Sequence, residues 1–257
     1  MNILITGHLG FIGTHLWTAL KKHHLIGYDI KGGDDILDKR KLEYVFETEN
    51  IDCVIHLAAL TGARRGELYP EDYFRVNVLG TKNVVDLCVK YNVKLIHFSS
   101  SSVKQPNTIY GMSKLCGEQI AGRTGATIVR PFTVIGEYGR KDQVIYKWIN
   151  SIKKNKGIAV HGLDTARNFT YVGDVVNAVK DLIGIDTLLP FMPVELCNPT
   201  SITLEELIKI FAKYYEFDVI DTGLDTYEMK ENMGRWDMPF VATDAKKIIE
   251  RILKNEI

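Results

Sequence analysis

The chain's 257 residues suffice for one large domain, or for a core domain with a smaller lobe. Hydrophobic residues make up 46% and charged residues 25%, Lys+Arg and Asp+Glu both number 32, and the formal charge is +0. That balance belongs to a globular protein and argues against a nucleic-acid partner, while leaving room for a local pocket that holds an anionic ligand.

No apolar run reaches the length of a membrane span, and "MNILITG" reads as a strand rather than a signal peptide. A cytoplasmic protein with no membrane partner is therefore expected. Cys53, Cys88, Cys116 and Cys197 are scattered with no Cys-x-x-Cys, so free thiols are expected and no metal site.

The first half alternates short apolar runs with amphipathic segments. Strands are predicted at 2–6, 25–29, 53–58, 94–100 and 127–131, and helices at 11–22, 38–49, 72–91 and 109–122. This βαβα order predicts an α/β fold with a parallel sheet covered on both faces. After about residue 132 the pattern changes. A helix is predicted at 142–155, short strands near 158–161 and 169–172, and a helix from Asp174 to about Ile183, with Asp174 as its cap. A strand at 193–198 follows. Next comes a helix at 203–215, opened by a capping box of Thr203 and Glu206, then strands and loops over 217–240 and a closing helix at 243–253. This gives a domain over 1–132, rejoined by about 158–185, and a smaller lobe made mainly of 133–257, with a ligand crevice expected between them.

"ITGHLGFIGTHL" places Gly7, Gly10 and Gly13 directly after a strand and at the start of a helix. Glycines permit the tight turn and bring the backbone close to a pyrophosphate, whose charge the helix N-terminus stabilises. The second strand ends in Asp29, 22 positions beyond Gly7, where a carboxylate can accept both ribose hydroxyls of an adenosine. The same charge repels a 2′-phosphate, so NAD is expected over NADP.

A second constellation is the serine run at 99–102 followed by Tyr110 and Lys114. Four positions apart on a helix, the last two share a face. A phenol with a reference pKa of about 10 is a poor base at neutral pH, and a neighbouring ammonium favours its phenolate.

These stretches resemble the extended short-chain dehydrogenase/reductase family, in its nucleotide-sugar epimerase and dehydratase group. The pattern T-G-x-x-G-F-I-G stands at Thr6–Gly13, H-L-A-A at His56–Ala59, N-V-x-G-T at Asn77–Thr81, Y-x-x-x-K at Tyr110–Lys114 and S-K-x-x-G-E at Ser113–Glu118. The resemblance implies a Rossmann-type doubly wound sheet with a smaller C-terminal α/β substrate lobe. It implies cofactor contacts from Gly7, Gly10, Phe11, Ile12, Gly13, Asp29, Asp35, Ile36, Leu57, Ala58, Ala59, Asn77, Ser99, Tyr110 and Lys114. It also implies a catalytic trio of Ser100, Tyr110 and Lys114, with Ser101 as the second candidate for the hydroxyl. For His56 a satisfied strand-end histidine is the preferred reading. The departure is the connection: Ser100 and Tyr110 are only ten positions apart, and Lys104-Gln105 replace the Tyr-Gly of the family's V-Y-G.

On the substrate side the resemblance covers "LTGARR", "RPFTVIGEYGRKDQ", "ARNFTYVGDVV" and "GRWDMPFVATDAKKI". It implies substrate contacts from Arg64, Thr133, Arg140, Arg167, Arg235 and Asp237. Thr133 stands where the family commonly has asparagine, which leaves the nucleotide undetermined. Ser101-Ser102 replace the Asp-Glu pair of the dehydratases, so elimination is not expected. An NAD-dependent 4-epimerase of a nucleoside-diphosphate sugar is expected, acting through a transient 4-keto sugar, with a UDP-hexuronic acid or UDP-hexose as candidates. The alternatives are a sugar-nucleotide dehydrogenase or reductase, and a non-catalytic NAD-binding protein left by the shortened connection. Family members often dimerise through the helices at 72–91 and 109–122, so a homodimer is expected.

Overall fold

The computed structural model describes residues 1–185, 193–223 and 234–256. Two compact units emerge, Met1–Pro131 with Val175–Glu195, and Phe132–Asp174 with Leu196–Ile257.

In the first unit the strands are β1 (Asn2–Thr6), β2 (His24–Tyr28), β3 (Cys53–His56), β4 (Lys94–Phe98) and β5 (Thr127–Pro131). They pair in parallel as β2-β1-β3-β4-β5, with a later short strand, Val194–Leu196, at the edge beyond β5. Chain order reverses beside β1, because β2 lies on one side of it and β3 on the other. Ligands of open α/β sheets bind outside the carboxyl ends of strands at such a point. Ile3, Leu4 and Ile5 are all fully buried, as expected for a central strand covered on both faces. On one face Leu4, Tyr28, Leu42, Val54, Val84, Leu95 and Ile128 form a continuous core, each worth about 1.5–3 kcal/mol when removed from water.

Three predicted strands are shorter than their apolar runs. Residues 57–58 and 99–100, and Asp29, leave the sheet at its carboxyl edge, where the backbone turns into the loops that carry the site. The covering helices are α1 (Phe11–Ala19), α2 (Lys39–Thr48), α3 (Ala63–Leu68), α4 (Pro70–Phe74), α5 (Thr81–Lys90) and α6 (Ile109–Gly122). The continuous helix predicted over 72–91 is interrupted by a wide π-type segment, Arg75–Gly80. Asn77 lies inside it, and its buried amide bonds to residues distant in sequence. At Gly80 a Cβ would stand 2.5 Å from Ile36 Cδ1. Helices often widen in this way at functional positions. The helix α3 was not foreseen from periodicity.

In the second unit β6 (Val134–Ile135) pairs in parallel with β9 (Thr170–Tyr171) and β7 (Ile158–Val160) with β12 (Val219–Asp221), while β8 (Ala166–Arg167) pairs antiparallel with β11 (Ile202–Thr203). The edge strand Val194–Leu196 is β10 in this order. Helix α7 (Val144–Ile152) lies in this unit, α8 (Val172–Ile183) belongs to the first unit from Val175 onward, and α9 (Leu204–Phe211) and α10 (Ala245–Glu256) lie in the second unit again. Trp148, Phe169, Phe211 and Ile249 centre this unit's core, and Trp148 Nε1 donates to the Ala159 carbonyl at 3.1 Å.

Thr203 and Glu206 form the predicted capping box, but α9 ends at Phe211 rather than 215. The helix predicted from Asp174 begins two residues earlier. Asp174 therefore sits in its first turn instead of capping it, and both carboxylate oxygens accept from Thr243, its N–H and its hydroxyl, at 2.7 Å. Residues 224–233 of the predicted strands and loops lie outside the described residues.

Candidate active site

The turn after β1 has the form a phosphate cradle requires. Gly7 has φ +76°, and a Cβ there would stand 2.7 Å from the Ala58 nitrogen. A Cβ on Gly13 would meet the Gly7 carbonyl oxygen at 2.3 Å. Both positions thus demand glycine, one for its backbone and the other for close packing. Helix α1 starts after Gly10, with no side-chain cap and no acidic residue in its first turn. Its N-terminus, where Phe11, Ile12 and Gly13 lie, is left to attract an anion.

Asp29 follows β2 and is 6% exposed. Its oxygens accept from the Leu9 N–H at 3.0 Å and the Lys31 N–H at 2.9 Å. A carboxylate has about four acceptor positions, so capacity remains for hydroxyl donors. Asp35 accepts from the Leu37 N–H at 2.9 Å, and Ile36 is buried over Gly80.

Across the switch point, the Leu57 N–H donates to the Thr6 carbonyl at 3.0 Å, and the Ala58 N–H to the Thr6 hydroxyl at 3.4 Å. Beyond Ala59 the backbone is held by Asn77. Its Oδ1 accepts from the Leu60 N–H at 2.8 Å, while its Nδ2 donates to the Leu60 carbonyl and to Ser113 Oγ, both at 3.0 Å. Asn77 is thus the pin joining this loop to α6. His56 is satisfied between the hydroxyls of Thr6, at 2.6 Å, and Thr81, at 3.0 Å. Burial lowers its pKa to about 3, with the Lys114 charge adding to the effect, so it stays neutral and structural. His97 pairs ring to ring with His56 at 5.3 Å and is likewise held neutral by burial.

The serine run leaves β4 into a short 3₁₀ turn, Ser101–Lys104. Ser100 caps it, its Oγ accepting from the Ser102 N–H at 3.2 Å and donating to Ser102 Oγ at 3.3 Å. Ser99 directs its hydroxyl inward to Glu118 at 2.5 Å. Helix α6 is capped by Thr108, whose Oγ1 accepts from the Gly111 N–H at 3.0 Å. A Cβ on Gly111 would be 2.9 Å from the Ser102 carbonyl oxygen, so the first turn of α6 rests directly on the serine turn. The abbreviated connection therefore brings the two into contact.

Tyr110 lies in that first turn, edge-on to the buried Tyr73 ring at 6.3 Å. Tyr73 in turn donates to the carbonyls of Thr61 and Gly62 at 2.6 and 3.0 Å, bracing the loop before α3. One turn along α6, Lys114 is 4% exposed, and its Nζ donates to the Phe98 carbonyl at 2.6 Å. Burial lowers its pKa to about 8, opposed by the Glu118 carboxylate four positions on.

Glu118 is fully buried and belongs to a network the motifs did not disclose. Arg130 forks onto it at 3.0 and 2.5 Å and reaches Glu195 at 3.4 Å, and Lys104 meets both oxygens of Glu195 at 3.0 and 3.1 Å. The signal available in sequence was the i, i+4 spacing of Lys114 and Glu118.

The family model described as the NAD dependent epimerase/dehydratase family matches residues 3–183. The chain belongs to that family. UDP-glucuronate 4-epimerase 4 of Arabidopsis thaliana is 30% identical over 73% of this chain and 54% of that protein. GDP-6-deoxy-D-talose 4-dehydrogenase of Aggregatibacter actinomycetemcomitans is 26% identical over 100% of this chain and 92% of that protein. A Bacillus cereus UDP-glucuronic acid 4-epimerase, solved with UDP-glucuronic acid and NAD, shares the Rossmann-type fold. Its TM-score is 0.87 at 24% identity, covering 100% of this chain and 99% of that one.

The residues present fit the family's cofactor. The turn admits only glycine at positions 7 and 13 and so keeps the tight form of a phosphate-binding loop, the N-terminus of α1 favours a pyrophosphate, and Asp29 suits a ribose diol. Of the substrate-side residues, Arg64 is exposed on α3 in the first unit. In the second unit Thr133 accepts through its carbonyl from the Thr170 N–H at 2.9 Å, and Arg167 donates to the Ala166 carbonyl at 2.8 Å. Arg140 pairs with Asp142 at 2.5 Å, and Arg235 with Asp237 at 3.3 Å. Two residues expected to bind substrate, Arg235 and Asp237, thus contact each other. Among the described residues no helix is long and apolar enough to cross a membrane.

Proposed function

We propose that this family member is an NAD-dependent 4-epimerase of a nucleoside-diphosphate sugar, most readily a UDP-hexuronic acid. NAD, held by the glycine turn and Asp29, would supply reversible hydride acceptance at the sugar carbon, which is the chemistry that inversion through a 4-keto sugar requires. The protein's part is proton handling and positioning. Tyr110 takes the proton of the 4-hydroxyl as the carbon is oxidised, and gives it back on reduction. Lys114, one helical turn away, favours the phenolate through its positive charge. The Ser100 hydroxyl, at the end of the strand that receives the Lys114 bond, orients the reacting oxygen. The observation that carries this reading is the buried Lys114 fixed to the Phe98 carbonyl, directly beneath the serine turn, on the helix that presents Tyr110.

Arg64, Thr133, Arg140, Arg167, Arg235 and Asp237 are the proposed substrate contacts, with Arg167 and Arg235 serving the diphosphate, Arg64 the sugar or its acidic group and Asp237 the nucleoside ribose. Arg235 would exchange Asp237 for a phosphate. A cytoplasmic homodimer completes the proposal, supported by the apolar surface that Leu68, Leu79 and Met112 expose on α3, the π segment and α6. Light scattering on the purified protein checks the dimer.

The functional test is to analyse nucleotide released from pure protein and then to assay UDP-, GDP-, dTDP- and CDP-sugars for epimer formation. Tyr110→Phe should lower kcat by about 10²–10⁴-fold, the usual worth of a general acid–base group. A variant as active as a surface mutant would remove Tyr110 from the chemistry. The likeness to a 4-dehydrogenase supports a second reading. Net oxidation or reduction of added nicotinamide nucleotide in proportion to product would decide for it.

A further inference from the structure

The stretch from Ser99 to Lys104 is tied at both ends to one ladder of alternating charge. At its start the Ser99 hydroxyl donates to Glu118 at 2.5 Å. At its end the Lys104 ammonium meets both oxygens of Glu195 at 3.0 and 3.1 Å. Arg130 closes the circuit between the two carboxylates, reaching Glu118 at 2.5 Å and Glu195 at 3.4 Å. Glu195 is 3% exposed, so releasing a cation there would leave a buried anion short of compensation. Its burial, and not the half-wet lysine, enforces the contact.

Between the two anchors lie Ser100, Ser101 and Ser102, including the hydroxyl given to the chemistry above. Lys104 is also the position at which this chain departs from the family's V-Y-G, next to the shortened run to Tyr110. We infer that Lys104, acting through Glu195, is a positioning residue that clamps the serine turn against α6 where the longer connection of its relatives is missing. The catalytic half of this inference rests on the epimerase reading.

The test compares Lys104→Met and Lys104→Arg with the wild type, using amide hydrogen exchange and steady-state kinetics with whichever sugar nucleotide the wild type turns over. The amides of Ser102 and Val103, which bond to Ser100 at 3.2 and 3.3 Å, report the turn directly. In Lys104→Met their exchange should rise about tenfold while α9 keeps its wild-type exchange, and kcat should fall about tenfold with KM held within about twofold. Lys104→Arg keeps the charge, can fork onto both oxygens of Glu195, and should restore both readouts. Wild-type exchange in Lys104→Met, increased exchange with unchanged kcat, or failure of the arginine to restore would each overturn the inference. A wild type that turns over no sugar nucleotide would refute the epimerase reading, and the exchange result alone would then uphold or reject the clamp.

Discussion

Removing either member of the buried Glu118–Arg130 pair should destabilise the first unit, and the two losses should be unequal. Glu118 is 0% exposed and accepts from Arg130 Nε at 3.0 Å, Arg130 Nη2 at 2.5 Å and Ser99 Oγ at 2.5 Å. Arg130→Met leaves that carboxylate sealed from water, with one hydroxyl bonded to it and the Lys114 charge on the same helix. Breaking a buried pair in this way costs about 3–5 kcal/mol. Glu118→Gln is milder, because the guanidinium is 20% exposed, keeps Glu195 at 3.4 Å and can still donate to the amide oxygen. Its cost should be about 1–3 kcal/mol, the penalty of weakened hydrogen bonds to a charged group. At about 2–4 °C per kcal/mol for chains of this size, Arg130→Met should melt about 6–20 °C below the wild type in scanning calorimetry. The pair Glu118→Leu with Arg130→Met should recover part of that loss, since no charge is left stranded. If Glu118→Gln melts lower than Arg130→Met, or both lie within about 1 kcal/mol of wild type, the assignment of the buried charge is wrong.

The Lys114 ammonium should titrate near pH 8 in NAD-free protein, followed by its ¹³Cε resonance, and Glu118→Gln should move the midpoint lower by deleting the opposing carboxylate. Because the folded pKa lies below the ordinary value of 10.5, the group's contribution to stability is full above pH 10.5 and is lost as pH falls toward 8, where the ammonium must be buried. A midpoint of 10 or above would contradict the burial argument. Gly13→Ala drives a methyl against the Gly7 carbonyl oxygen and should weaken NAD binding by about 5–150-fold in calorimetric titration, the equivalent of about 1–3 kcal/mol of overpacking. Wild-type affinity would show that the turn opens at no cost. Asp29→Ala should shift the ratio of NAD to NADP affinity toward NADP by at least about tenfold, and an unchanged ratio would remove the carboxylate from ribose recognition.

Features whose physics is local were legible in the amino-acid order. The glycines at 7, 10 and 13 answer to steric limits within one turn, and the Thr203–Glu206 capping box closes over three residues. The shared face of Tyr110 and Lys114 follows from helical period alone, and the boundaries of α6 coincide with the predicted 109–122. The buried strands announced themselves as β-branched and apolar runs because both faces of a parallel sheet exclude water.

Only the tertiary structure decided the remainder. It breaks the helix over 72–91 where Asn77 turns to Leu60 and Ser113, moves Asp174 from a cap to a tether for Thr243, and joins Lys104 to Glu195 across 91 positions. Each of these is a polar or charged group that burial obliges to find a partner. Which partner stands within 3 Å is set by how strands and helices meet, so no single stretch of chain can specify it.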